Sequence, residues 1–170
     1  MRRIFAVLPT FLAFAFTLTF AQAPRQAEES ANRAENEKAI EELLNSSVDA
    51  WNHHDAKAFS MVFAEDADFT NVVGMSAHGR LEIEKFHAPL FATKFKDTSL
   101  KITETKIRFI TPEVAAVDAR WEMTGAKRPD GQEIPLRKGL LSFAITGSSS
   151  GQWLIAVMHN MDLPLQKPDP

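Results

Sequence analysis

Apolar residues recur at Ile40, Leu43, Leu44, Val48 and Trp51, the one-face spacing of a long helix, and Ser47 falls on the same stripe. Upstream, Asn32-Arg33-Ala34-Glu35 fits a capping box and predicts a helix start there. Asp55 is placed to cap a second, short helix carrying Phe59, Val62 and Phe63 on its buried side. Residues 68–73 read as a strand punctuated by Gly74. After Gly79, Ile83, Phe86, His87 and Leu90 share one face of a third helix, which Pro89 is expected to kink or restart because it lacks an N–H.

Beyond Lys96 the period changes to that of strands. Segments 100–110 and 114–124 flank the turn Thr111-Pro112-Glu113, and segments 137–146 and 152–161 flank Gly147-Ser148-Ser149-Ser150-Gly151. Between the hairpins, 126–135 contains Pro129-Asp130-Gly131 and reads as an exposed loop. Helices followed by a run of strands predict the α+β class. The expected architecture is a strongly curved antiparallel sheet wrapped around three N-terminal helices, which fill its concave side.

The start of the chain stands apart from this pattern. Arg2 and Arg3 precede an apolar run from Ile4 to Phe20, and Ala21-Gln22-Ala23 closes it as a small-x-small cleavage signature. Residues 1–23 therefore read as a signal peptide, although the run is almost long enough to serve as a membrane anchor. A flexible segment at 24–31, one domain over 32–163 and a tail at 164–170 complete the expected organisation. The product is expected to be soluble and exported, to a periplasm or to the outside. With Arg2 and Arg3 removed, 17 basic residues face 22 acidic ones, a net charge of −5. No basic run is present to track a phosphate backbone, which argues against nucleic acid. The chain has no cysteine, so its core alone must hold it in an oxidising compartment.

The helix–helix–strand opening, Phe63-Ala64-x-Asp66-Ala67, Ala77-His78-Gly79 and Trp153…His159-Asn160 together resemble the SnoaL-like group of the nuclear-transport-factor-2-like superfamily, and within it the SgcJ/EcaC-type proteins. This resemblance covers essentially the whole chain after residue 23. It implies a cone-shaped, cystatin-like α+β barrel with a pocket at its open end, often dimeric through the sheet. It leaves activity open, because the superfamily hosts isomerases, cyclases, hydrolases, dehydratases and proteins without chemistry. The opening stretch also aligns without gaps to ketosteroid isomerase. Ser47 stands where that enzyme carries its tyrosine, and Asn71 where it carries its proton-moving aspartate. An amide cannot take up a proton near neutral pH, a serine hydroxyl is a weaker acid than a phenol, and the chain has no tyrosine at all. That chemistry is not expected. The comparison does imply that Ser47, Trp51 and Asn71 face the cavity.

Among the histidines, His87 sits on the apolar face of helix three, where a lone histidine is more often a satisfied core residue. His159 lies near the open end of the last strand, where the fold places pocket walls. Together they are the candidate acid–base pair. His53 and His54 occupy the turn between the first helices and are expected to be solvated. Adjacent side chains diverge, Asp55 has a capping role, and no HxxxH spacing occurs, so no metal is expected. Asp118, Arg120 and Glu122 alternate on one strand face, opposite Ala115, Val117, Ala119, Trp121 and Met123. The charged side is expected to meet solvent or a partner subunit, and Trp121 the cavity. Asp66 is expected to order the turn into the first strand, with Asp68 capping or at the rim.

The leading expectation is an exported, homodimeric domain that binds a small, largely apolar molecule without a cofactor. Its pocket would be lined by Ser47, Trp51, Phe63, Asn71, His87, Trp121 and His159. Two alternatives stay open: an isomerase, cyclase or hydratase using His87 and His159, and a non-catalytic assembly module using Asp118, Arg120 and Glu122.

Overall fold

The computed structural model describes residues 22–128, 130–134, 136–148 and 151–164, with 22–25 described by backbone alone. Residues 1–21 of the expected signal peptide and 165–170 of the tail lie outside the described residues. The chain divides into two units, residues 1–32 and 33–170. In the first, residues 22–32 are the opening turns of helix α1 (Gln22–Asn52), and 26–32 are exposed. The helix thus starts ten residues before the expected capping box, which does not form because Asn32 is inside a continuing helix. The residues expected as a flexible lead, 24–31, are helical as well.

In the second unit α1 continues to Asn52, and its apolar stripe meets the sheet. The amide of Asn52 closes that end by accepting from Leu100 N at 2.7 Å and donating to Leu100 O at 2.9 Å. Helix α2 (Ala56–Met61) carries the predicted cap, with Asp55 Oδ1 accepting from Ala58 N at 2.9 Å. Phe63 is not on that helix: it opens strand β1 (Phe63–Thr70), which starts five residues earlier than expected and ends before Asn71. Asp66 accordingly lies within a strand rather than in a turn. A short strand β2 (Ser76–His78), too brief to show a period, pairs with β1, and His78 Nδ1 meets Asp68 Oδ1 at 2.8 Å across the pair. Helix α3 (Arg80–Ala92) continues through Pro89 without restarting. A hydrogen bond lost so close to the helix end does not stop it.

Strands β3 (Ser99–Thr111), β4 (Val114–Thr124), β5 (Arg137–Gly147) and β6 (Trp153–Asp162) complete one six-stranded sheet in the order β2-β1-β6-β5-β4-β3. The sheet is mixed, not wholly antiparallel: β1 lies parallel to β6. The first and last strands can run side by side because the whole intervening chain connects them. The loop at 126–135 folds back on itself through a Lys127–Glu133 bridge. Among the described residues, no helix is long and apolar enough to cross a membrane.

The core lies between the helices and the inner sheet face. Ala115, Val117, Ala119, Trp121 and Met123 of β4, with Leu141, Phe143 and Ile145 of β5, are buried there as the alternation predicts. Arg80 donates twice to the Phe63 carbonyl, at 3.0 and 2.7 Å, and ties the start of α3 to the start of β1. Gly139 faces Trp121 across β4–β5, and a Cβ there would sit 2.1 Å from the indole. Only glycine lets that ring lie against the strand.

Candidate functional site

Two apolar hollows separate the helices from the inner sheet face. The smaller, about 30 Å³, is walled by Ser47, Val48, Trp51, Phe59 and Phe63 with sheet residues opposite. It has room for little more than a water molecule. The larger, about 140 Å³, lies between α3, the turn after β1 and the sheet, walled by Phe69, Phe86, His87, Leu90, Phe95 and Met158 among others. A hollow of about that size accepts a single six-membered ring. Trp51, Trp121, Met123, Met158 and Asn160 line both, so the two indoles partition what the sequence presents as one pocket.

Most polar groups in these walls are already engaged. Ser47 Oγ donates to Leu44 O at 2.7 Å, the local bond a helical serine makes to the preceding turn. Trp51 Nε1 donates to Thr98 Oγ1 at 3.2 Å, and Trp121 Nε1 to Asn160 Oδ1 at 2.9 Å. Asn71 directly follows the last residue of β1. Its Oδ1 accepts from the backbone N–H of Val73 at 3.0 Å and Met75 at 2.9 Å, holding the β1–β2 turn. Its side chain reaches the larger hollow, but its oxygen belongs to the turn rather than to a ligand.

His87 is 2 % exposed and ringed by Phe59, Phe69, Phe86 and Phe91, with ring centroids 4.6, 4.8, 5.2 and 5.6 Å away. Burial disfavours the imidazolium and lowers its pKa to about 4, against a smaller opposing effect of the Ile83 carbonyl. Its Nδ1 lies 2.8 Å from Ile83 O, so the neutral ring carries its proton there. Nε2 is left as an acceptor, with no hydrogen-bond partner among the described residues.

His159 is not in the pocket. It is exposed and lines neither hollow. In the β5–β6 register Ile145 pairs with Ile155 and Ala144 with Val157, which leaves Ala156 as an extra residue. This bulge reverses the alternation. Trp153 and Ile155 face inward before it, Met158 and Asn160 after it, and His159 is turned to the outer face. A His87–His159 proton-transfer pair therefore cannot form.

The remaining candidates stand away from the hollows. His53 is exposed, with Nδ1 2.7 Å from Asp49 O. His54 is half-buried rather than solvated, at φ +54°, with its ring edge-on to Phe91 and Nε2 buried without a partner. Asp118, Arg120 and Glu122 occupy the outer face, each engaged within the sheet. Ser142 Oγ donates to Asp118 at 2.7 Å, Arg120 meets Glu104 at 3.1 Å, and Glu122 meets Lys101 and Lys138 at 2.8 and 2.9 Å. Hydrogen bonds from those two lysines lower the Glu122 pKa to about 2. Among the described residues no three potential metal ligands cluster.

Among the polar wall residues, Asn160, Arg137 and Lys94 escape the sequence reading. Asn160 is hidden by the bulge, which no local pattern announces. Arg137 was legible: it shares the inward parity of Gly139, Leu141, Phe143 and Ile145. Its guanidinium lies 5.5 Å from the Trp121 ring centroid and pairs with Asp162 at 2.7 Å.

The model of the SnoaL-like domain matches residues 44–146. No curated protein matches the chain. Among solved structures, an uncharacterised protein with a cystatin-like fold from Caulobacter vibrioides is 28% identical, over 76% of this chain and 91% of that one, with a TM-score of 0.69. A hexachlorocyclohexane dehydrochlorinase from Novosphingobium barchaimii aligns over 81% and 92% at 12% identity and a TM-score of 0.71. A ketosteroid isomerase-like protein from Erwinia carotovora aligns over 75% and 96% at 18% identity and a TM-score of 0.61. The last two share the fold alone. With the family model spanning residues from α1 to the end of β5, this chain belongs to the SnoaL-like domain family.

Proposed function

We propose that the protein binds one compact, mostly apolar molecule in the larger hollow, with Asn160 and the His87 Nε2 acceptor giving it orientation. The supporting observation is an aromatic-walled space of about 140 Å³ whose Asn71 oxygen and indole N–H groups are committed to the fold. Sites of this kind, apolar with a few placed polar groups, are where small ligands bind, and SnoaL-like domains generally bind small molecules. Export and a homodimer are part of the proposal. Export rests on the basic start, the apolar run and the Ala21-Gln22-Ala23 signature. The dimer rests on the resemblance.

A thermal-shift screen of single-ring compounds tests the reading when repeated on Leu90→Trp, which fills the space, and on Asn160→Leu. Hits should raise the melting temperature of the wild type and lose that effect in Leu90→Trp. Hits that bind Leu90→Trp unchanged place the site elsewhere.

Catalysis is the second reading, carried by the unpartnered Nε2 of His87 in an apolar wall. It now rests on one histidine acting as base. A pKa near 4 makes that base weak at neutral pH, below the range in which general bases work best, so binding is the better-supported reading. Turnover with a pH–rate profile that changes in His87→Gln would reverse the order.

A further inference from the structure

The larger hollow borders a second, wider space. Val72, Val73, Lys94, Phe95 and Arg137 line it and also a wider outer space of about 680 Å³ formed by the end of α3 and the 125–134 loop. The character of the walls changes at that junction. Inside they are rings, methionines and a neutral histidine. Outside stand Lys94, Lys96, Lys127, Arg128 and Arg137 against two carboxylates, Asp97 and Asp162.

On a chain of net charge −3 this bias is local, not a reflection of composition. Both carboxylates are already paired, Asp97 with Lys127 at 2.9 Å and Asp162 with Arg137 at 2.7 Å. Lys94, Lys96 and Arg128 have no ion-pair partner among the described residues. Lys94 and Arg137 are the cations that line both spaces. The Lys94 Nζ lies 5.4 Å from the Phe95 ring centroid, beside the opening. Arg137 spends one N–H on Asp162 and another on the weak acceptor Met123 Sδ at 3.9 Å, which leaves donors of its five for an anion.

We propose that the ligand is a small amphipathic carboxylate whose apolar body occupies the inner hollow and whose anionic head rests on Arg137 and Lys94. This rests on the small-molecule reading above and adds the chemical class. A guanidinium presents paired donors that suit a carboxylate, and the low-dielectric walls strengthen the attraction at the opening. The same cations disfavour a cationic ligand and give a neutral one hydrogen bonds without the charge attraction.

The test is calorimetric titration of the full chain at pH 7.5 with 4-fluorophenylacetate and with its alcohol counterpart 2-(4-fluorophenyl)ethanol. The acid should bind at least about tenfold more tightly at low salt, with the advantage shrinking as sodium chloride is added. Lys94→Gln, at an exposed site, and Arg137→Gln, which keeps much of the stem, should each reduce the advantage, and the double variant should abolish it. Melting curves of each variant separate loss of binding from loss of folding. Equal affinity for acid and alcohol, with both excluded by Leu90→Trp, overturns the head-group assignment and leaves the pocket reading standing. Binding of neither compound overturns both.

Discussion

Adjacent residues Trp121 and Glu122 divide the sheet into two chemical worlds. On the inner face, Trp121 is 2 % exposed, its single N–H is spent on Asn160, and the nearby ionisable ring of His87 is held neutral by burial. On the outer face, Glu122 is held ionised by two lysines. The difference shows where function can sit. Outward, Asp118, Arg120 and Glu122 are each engaged by neighbours within the sheet. Inward, the structure spends its donors and acceptors on itself almost everywhere. Among the exceptions are one nitrogen of His87, the Lys94 ammonium and part of the Arg137 fork, and all three border the same hollow.

The contrast is broken most severely at Trp121. Trp121→Ala should cost about 3–5 kcal/mol in denaturant unfolding, the range for large-to-small aromatic changes in a core, and should merge the two hollows. Gln at 122 should leave the unfolding midpoint unchanged within error. An equal loss at both positions would mean that the two faces are not energetically distinct.

Acid comes next. A His87 pKa lowered from the ordinary 6.5 to about 4 means that the folded state resists protonation while the unfolded chain accepts it. This contribution is fully present above pH 6.5 and is lost as the pH falls towards 4, by about 3 kcal/mol over that window. Replacing the residue in His87→Leu should flatten the slope between pH 6.5 and 4.5 in equilibrium unfolding. A wild-type slope retained in that variant would show the histidine to be accessible to protons in the fold.

The last strand allows a finer comparison between neighbours. Asn160→Leu removes the acceptor of the buried Trp121 N–H and should cost about 1–3 kcal/mol, with loss of ligand-induced thermal shift. His159→Ala, on the exposed side, should change stability by less than about 0.5 kcal/mol and leave binding intact. The reverse pattern would mean that the bulge at Ala156 is misplaced.

That bulge also marks where sequence reasoning succeeded and where it failed. The inward set of β4, the Asp55 cap, the outward Asp118-Arg120-Glu122 series and the inward His87 were all legible, because each follows from a regular period or a local cap. Asn160 and His159 exchanged roles because one unpaired residue shifts every later side chain to the other face. Asn71 lines the larger hollow as the alignment implies, but its side-chain oxygen is taken by the turn that ends β1 at Thr70, which no alignment shows. The capping box at Asn32 was a valid local signal overridden by a helix that had already begun. Arg137 follows from alternation with Gly139, Leu141 and Phe143, but what its guanidinium borders is set by the end of α3 and the turn after β1, which no strand period encodes.

The chain has three tryptophans, which makes the central claim directly measurable. Trp51 and Trp121 divide the hollow, while Trp153 lines neither part and donates to Asn36. Two-dimensional nitrogen–proton spectra of the three indole N–H signals, followed during titration with 4-fluorophenylacetate, report on all of them at once. The account predicts saturable shifts for Trp51 and Trp121 with Trp153 unmoved. Shifts led by Trp153, or none at Trp51 and Trp121 while the compound demonstrably binds, would contradict it.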